Sequence, residues 1–440
     1  MTKTLVNMFR IPDLKRKLLF TALFLVIYRL GSFIPVPGVD LAALKQFFAD
    51  MASRGDDTLF GMLNLFVGGN FERSSVFALG IMPYITASIV IQLLGSIIPY
   101  FEKLRKEGAD GQKKLNQITR YGTVALAAFN AVTITTWLSS SSMRGVVPNP
   151  GILFHFTGIV TLITGTMIVM WIGEQITENG IGNGISLIIF SGIVSQYPQG
   201  FIQMFSLVFA GSVMLWKALA AIVLMVLVTA AVILVTEAMR KIPVQYAKRI
   251  VGRRVYGGQS TYIPLRVNTA GVIPIIFAQS VIMLPATVAQ FFGKGVGFWR
   301  VVQDLLSPGA WLYTIIYVTM IIFFAYFYTA IVLNPTEMAE NMVKYGGHIP
   351  GKKPGKKTAE YINSVLTRIT LPGAIFFAFV ALLPEIMRDQ LSLPFYFGGT
   401  GLIIVVGVAL DTLQQIESHL VMRHYDGFMK KGKLRSRSGS

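Results

Sequence analysis

The 440-residue chain contains no cysteine, which excludes disulfides and thiolate metal sites. Histidine is nearly as scarce. The four, His155, His348, His419 and His424, include no two spaced to ligate a metal from one helical face. Charged residues are only 14% of the chain, and acidic ones are the rarer kind, 21 Asp+Glu against 39 Lys+Arg. No paired carboxylates and no Ser/His/Asp grouping stand out. Gly180-Ile-Gly-Asn-Gly184 is glycine-rich but follows no strand, so it reads as a tight, flexible turn rather than a phosphate cradle. No catalytic residue, metal or cofactor is expected.

What the chain does have is apolar length. Ten stretches of about 20 residues, near 18–36, 76–98, 121–138, 152–172, 185–205, 218–236, 271–292, 311–333, 371–387 and 399–418, are each long enough to cross a bilayer as a helix rising about 1.5 Å per residue. The two tails and the gaps after the second, fourth, sixth and eighth stretches carry 30 Lys+Arg over 144 residues. The other gaps carry 8 over 93. Basic residues stay on the cytoplasmic side, so both termini are expected in the cytoplasm. The first stretch follows Lys15-Arg16-Lys17 without a small-residue cleavage pattern, so it reads as a retained span rather than a signal peptide. All five tryptophans (Trp137, Trp171, Trp216, Trp299, Trp311) lie at or near span ends, as an interfacial belt requires. The fold class is an all-α, multi-pass protein of the cell membrane. The net charge of +18 reads chiefly as a topology signal and an attraction to anionic lipid.

Inside the ten spans the only ionisable Asp, Glu, Lys or Arg are Arg29, Glu385, Asp411 and Glu417. Arg29, Glu385 and Glu417 are close enough to a span end to snorkel. Asp411 lies deeper and suits either a watery cavity or a transport role. An ion-coupled transporter, the alternative reading, ordinarily needs several buried charges, and their scarcity weighs against it. A pore needs none.

Two spans share a pattern. Gly80-Ile-Met-Pro83-Tyr-Ile85 opens the second, and Gly271-Val-Ile-Pro274-Ile-Ile276 opens the seventh. Each is the second span of a five-span half, 1–205 or 206–440. Two odd-numbered halves must enter the membrane in opposite senses, which makes an inverted repeat. Gly and Pro are expected to loosen each helical ladder, so a pathway is sought between the halves. Residues 58–72, too short to span and broken by Gly61, Gly68 and Gly69, form either an interfacial helix on the outer leaflet or a re-entrant segment with the Gly pair as hinge.

Ala78-Leu-Gly-Ile-Met-Pro-Tyr-Ile85, Gly173-Glu-Gln-Ile-Thr-Glu-Asn-Gly-Ile-Gly-Asn-Gly-Ile185, Gly252-Arg-Arg-Val-Tyr256, Ala270-Gly-Val-Ile-Pro274 and Pro394-Phe-Tyr-Phe-Gly-Gly-Thr400 together resemble the bacterial SecY family. The resemblance runs from Arg29-Leu-Gly-Ser-Phe-Ile-Pro-Val-Pro37 to the basic tail. It implies two five-helix halves hinged as a clamshell, and a channel that secretes unfolded polypeptide and releases hydrophobic segments sideways into lipid. By motif, the pore ring resembles Ile81, Ile85, Ile185, Ile189, Ile276 and Ile404. Branched alkyl groups dewet a narrow pore yet grip no substrate by hydrogen bonds. The plug resembles Leu59, Phe60, Gly61, Met62, Leu63, Asn64, Leu65, Phe66, Val67, Gly68, Gly69 and Asn70. Polar residues at the lateral gate resemble Thr86, Gln92, Asn130, Gln279 and Ser280, each interhelical hydrogen bond contributing roughly 0.6 kcal/mol.

The cytoplasmic loops 237–270 and 334–370 resemble docking sites for the ribosome (through rRNA) and the SecA motor ATPase, with Lys248, Arg249, Arg253, Arg254, Lys352 and Lys353 as the basic contacts. The family usually has Arg where this chain has Lys353, and an apolar residue where it has Lys352. Lysine keeps the charge and loses the bidentate fork. The family further implies SecE-like and SecG-like small membrane subunits as partners, along with signal peptides, nascent chains and membrane lipid. With no phosphate-binding loop in the sequence, the energy for transport is expected from those partners or the membrane potential.

Overall fold

The computed structural model describes residues 11–54, 67–140, 145–246, 249–251, 254–256, 260–292, 310–391 and 399–431, with isolated positions at 64, 143, 297, 301 and 305. They fall into two compact units, Met1–Pro198 with Val408–Ser440, and Gln199–Gly407.

The first unit is helical. It holds α1 (Pro12–Gly31), α2 (Leu41–Arg54), α3 (Met82–Ile97), α4 (Pro99–Lys106), α5 (Ala109–Leu138), α6 (Ile152–Asn179) and α7 (Gly184–Val194). The first span was expected over 18–36 but ends at Gly31, because Pro35 and Pro37 cannot continue a helix. The chain instead runs extended, with Val36 N–H donating to the Ser74 carbonyl and Val76 N–H to that of Ile34, both at 2.8 Å. The third span, expected from 121, begins at Ala109. Small residues let these helices close up: Ala127 and Ala131 on α5 are buried with Leu162 of α6 and with Val36, Ala78 and Leu79.

The glycine-rich turn at 180–184 ties this unit together. Thr21 Oγ1 accepts from Ile181 N–H (3.0 Å) and Thr177 Oγ1 from Gly184 N–H (2.9 Å). Gln415 Oε1 accepts from Gly182 N–H at 2.9 Å. Asn183 then caps α7 by accepting from Ile185 and Ser186 N–H. The turn is tight, as expected, but held by three side chains rather than left flexible.

The second unit combines helices with a small sheet. Its helices are α8 (Tyr197–Phe209), which starts at the end of the first unit, α9 (Leu215–Glu237), α10 (Ile273–Phe292), α11 (Trp311–Val332), α12 (Pro335–Lys344) and α13 (Lys356–Leu391). The final helix, α14 (Thr400–Lys431), begins here and ends in the first unit. The strands are β1 (Met239–Tyr246), β2 (Arg249–Val251), β3 (Arg254–Tyr256), β4 (Ser260–Arg266) and β5 (Gly347–His348). The all-α expectation therefore needs one addition. β1 pairs antiparallel with β4 from Met239↔Arg266 to Gln245↔Ser260, and with β5 through Gln245↔His348 and Tyr246↔Gly347. The order β4-β1-β5 joins the 237–270 and 334–370 loops in one sheet. Ile242, Val244 and Leu265 on its inner face bury against Met342, Ile349, Ile362 and Leu366.

Apolar side chains also face outward. Val223, Val226 and Leu227 on α9 are more than half exposed, as in a helix solvated by hydrocarbon. Seven described helices are long and apolar enough to span a membrane, or eight when the pair α3 and α4, bent by 98°, counts as one. Eight of the ten expected spans are thereby matched, that at 185–205 by α7 and α8 together. The two that fall short by this measure are α1, which carries Asp13, Lys15, Arg16, Lys17 and Arg29, and α10, whose described apolar part is Ile273–Met283.

The six-residue repeat is visible in the backbone. Gly80 (φ +54°) and Gly271 (φ +63°) both take the left-handed conformation, and each precedes its helix by two residues. Pro83 and Pro274 are the second residues of α3 and α10. There the missing N–H has no intrahelical partner to lose, so the prolines start these helices rather than loosen them, contrary to expectation.

Ile362 is fully buried in the core under the sheet. Ile362→Ala should cost that core about 2–5 kcal/mol. We expect faster limited proteolysis within 237–266, with the membrane-embedded fragments still protected. Unchanged cleavage would mean that the sheet does not depend on this core.

Candidate functional site

The six isoleucines lie on four helices that each follow a left-handed glycine: Gly80 before α3, Gly182 before α7, Gly271 before α10 and Gly399 before α14. In the first unit Ile81 caps α3, Ile85 sits one turn later with its N–H on the Ile81 carbonyl (3.1 Å), and Ile189 lies midway along α7; all three are buried. Ile185 is half-buried and packs its Cγ1 over Gly173 of α6. In the second unit Ile276 and Ile404 occupy the opening turns of α10 and α14, and both are buried.

Of the segment 59–70, Leu59 to Leu63, Leu65 and Phe66 lie outside the described residues. The remainder folds into the first unit rather than out onto a surface. Val67 and Asn70 are buried, as are Phe71, Ser74 and Ser75 beyond them. Gly68 and Gly69 both take positive φ (+73° and +81°). A Cβ on Gly68 would stand 2.5 Å from the Gly192 Cα of α7, so two glycines create this close backbone approach.

Several polar side chains secure the same stretch. Gln196, in the break between α7 and α8, donates Nε2–H to the Asn64 carbonyl at 2.7 Å. The Asn64 side chain in turn brackets Glu72, donating to its carboxylate (3.0 Å) and accepting from its N–H (3.2 Å). From α1, Tyr28 Oη donates to the Val67 carbonyl (3.4 Å) and accepts from Asn70 Nδ2 (3.2 Å). Arg29 Nη1 donates to the Gly68 carbonyl at 3.2 Å, so Arg29 turns inward to the backbone instead of snorkelling along lipid. Neither Tyr28 nor Gln196 was among the sequence-derived candidates. Arg29 was noticed only as a charge in an apolar span, which is the signal that marks it.

The gate candidates are half-buried on the first unit and buried on the second. Thr86 Oγ1 donates to the Met82 carbonyl (3.1 Å), and Gln92 Nε2 to Ser88 Oγ (3.1 Å), both within α3; Asn130 is half-buried on α5. Ser280 Oγ donates to the Ile276 carbonyl at 2.8 Å. Gln279 is buried beside it, and its Oε1 has no hydrogen-bond partner among the described residues. A pair the sequence did not disclose sits on α5 and α6: Arg120 makes a bidentate contact to Glu174, at 2.9 and 2.7 Å. Asp411 lies on an exposed part of α14.

Of the basic docking candidates, Lys248 and Arg253 lie outside the described residues. Arg249 and Arg254 fall on β2 and β3, a two-stranded hairpin pairing Arg249↔Tyr256 and Val251↔Arg254. Lys352 and Lys353 are exposed in the turn after β5. Lys352 Nζ lies 5.2 Å from the centre of the Tyr361 ring, and the Lys353 carbonyl accepts from Thr358 Oγ1 at 3.0 Å.

The family model described as SecY matches residues 75–413. The chain is 49% identical over 426 residues to the protein translocase subunit SecY of Escherichia coli K12, covering 96% of this chain and 95% of that protein. Two solved structures share its fold. One, at TM-score 0.66 and 20% identity over 92% of each chain, concerns the plug domain of a SecY protein, which stabilises the closed state of the translocation channel and maintains a membrane seal. The other is Sec61 in the canine ribosome–channel complex from the endoplasmic reticulum, at TM-score 0.64 and 19% identity over 92% of this chain and 93% of that one.

The close approach at Gly68 makes a direct prediction. Gly68→Ala introduces a Cβ against Gly192 at a left-handed φ, at a cost of about 1–3 kcal/mol. The segment should then detach from α7. A Val67→Cys reporter in the cysteine-free chain should react with a membrane-permeant maleimide markedly faster in the Gly68→Ala background. Equal rates would show that the contact does not hold the segment.

Proposed function

The chain belongs to the SecY family, multi-pass channel subunits of the cell membrane rather than enzymes, and we propose that two devices seal its polypeptide pathway, an apolar ring and a removable stopper. The ring is Ile81, Ile85, Ile185, Ile189, Ile276 and Ile404. The glycine and proline start shared by α3 and α10 supports treating Ile85 and Ile276 as equivalent positions of two inverted halves. Isoleucine excludes water from a constriction without offering hydrogen bonds, so a polypeptide of any sequence slides past. The stopper is the 59–70 segment. The observation that carries this reading is the burial of Val67 and Asn70 at its end in the first unit, where side chains of α1 and of the break after α7 hold it by only a few carbonyls.

Thr86, Gln92, Asn130, Gln279 and Ser280 form the seam through which hydrophobic segments leave for lipid. Polar side chains at such a seam give weak, reversible closure, which a signal peptide can replace with its own contacts. Both termini and the 237–270 and 334–370 loops face the cytoplasm, on the charge asymmetry of the gaps. The two loops dock a ribosome through rRNA phosphates or a SecA motor through carboxylates, using Lys248, Arg249, Arg253, Arg254, Lys352 and Lys353. Lys352 and Lys353 act as point charges in that role. SecE-like and SecG-like subunits complete the complex, and nascent chains are its cargo.

Two outcomes test this reading. Replacing Ile85, Ile189, Ile276 and Ile404 together with Ser should wet the constriction and make resting channels conduct ions, and single-channel recordings that keep full resistance would overturn the ring. Reversing Arg253 and Arg254 to Glu should weaken ribosome or motor binding in a salt-dependent way, with normal expression, because surface charge changes cost folding only about ±0.5 kcal/mol. A variant that fails to insert would make the hairpin a structural element instead.

A further inference from the structure

The stopper's root is held by an unusual division of labour. The segment contributes mostly backbone carbonyls, those of Asn64, Val67 and Gly68. The donors come from elsewhere: Tyr28 and Arg29 on α1, and Gln196 at the break after α7. Chain that turns back at Gly68 and Gly69 cannot meet all its carbonyls by regular pairing, and in an apolar surrounding an unmet one is costly. The Asn64 carbonyl accepts from Gly69 N–H at 2.8 Å as well as from Gln196, whereas those of Val67 and Gly68 meet Tyr28 and Arg29. Tyr28 is fixed for the task. It is 1% exposed, its ring stacks on Phe77 at 5.8 Å, and Asn70 Nδ2 donates to its hydroxyl, which leaves the hydroxyl proton directed at Val67. Arg29 brings a charge into an apolar span, an expensive placement that a merely structural contact does not require.

We infer that Tyr28, Arg29 and Gln196 are positioning residues that latch the segment and set how readily the resting channel opens. This rests on the reading of 59–70 as the stopper. Because the acceptors are main-chain oxygens, the latch is indifferent to the side chains of the tip. Its strength is decided on α1 and at the break after α7, away from the segment itself. The three donors engage carbonyls within five residues of one another, 64 to 68, so a displacement that breaks one strains the others, and release is all-or-none.

The test uses sealed membrane vesicles carrying the full chain with its native subunits. The variants are Tyr28→Phe, which keeps the ring stack and deletes one donor, Gln196→Leu, Arg29→Met and the conservative Arg29→Lys. Deletion of residues 59–67 is the control. Two quantities are read: the resting anion leak, and the ratio of transport of a substrate with a weakened signal peptide to that of the same substrate with its full signal. Each single donor loss should raise both by about threefold or more, and Arg29→Lys should fall between Arg29→Met and the native chain. A purely structural role would lower both transport rates in parallel and leave the ratio unchanged, which overturns the latch. If the deletion leaks while Tyr28→Phe and Gln196→Leu stay tight, the latch fails and the stopper stands. If the deletion also stays tight, the stopper reading fails and takes the latch with it.

Discussion

A peptide group inside hydrocarbon has no water to bond, so wherever this chain leaves a helix within the membrane another part of the molecule must supply the missing partner. Two buried stretches among the described residues meet the same need in different ways. At 180–184 the needy groups are N–H donors, and Thr21, Thr177 and Gln415 offer oxygens. At 67–68 the needy groups are carbonyls, to which Tyr28 and Arg29 offer protons, and Gln196 adds a second donor to the Asn64 carbonyl beside Gly69 N–H. The first arrangement ties α1, α6, α7 and the end of α14 into one knot. The second holds a segment that carries no regular structure of its own through residues 68–74.

Charges in or just beside the spans follow the same rule. Arg29 is spent on a carbonyl, and Arg120 meets Glu174 with both prongs of its fork. Where water is available the pattern changes. In the second unit the backbone pairs as a three-stranded sheet, Lys241 lies over the Tyr262 ring at 4.7 Å, and apolar residues turn inward as they do in a soluble domain.

Much of this was legible in the sequence, and the limits of legibility have physical causes. Span position follows from apolar length, because hydrocarbon thickness admits little variation, so eight of the ten expected spans are matched by helices long and apolar enough to cross. Span ends were less visible. α5 begins twelve residues before its apolar stretch, since Lys113, Lys114 and their polar neighbours stay helical without being apolar. The β1 strand was missed although Ile242 and Val244 alternate with exposed neighbours. Pro243 between them and the surrounding basic residues disguised the period of two. Its pairing with Gly347 and His348, about a hundred residues on, had no local signal at all. The candidate isoleucines are indistinguishable by composition from packing residues, and a left-handed glycine leads α5 and α13 as well, so only the family resemblance singles them out. Tyr28 and Gln196 became visible only once folding brought them to carbonyls 39 and 132 residues away in sequence.

The sheet that unites the 237–270 and 334–370 loops has a mechanical consequence. β1 continues from α9, β4 leads into α10, α12 follows α11, and β5 leads to α13. Four membrane helices thus end on one stiff plate. A force on the sheet is not absorbed by a single strand. It is shared among all four stems, and a partner gripping a single loop holds the whole bundle by its handle.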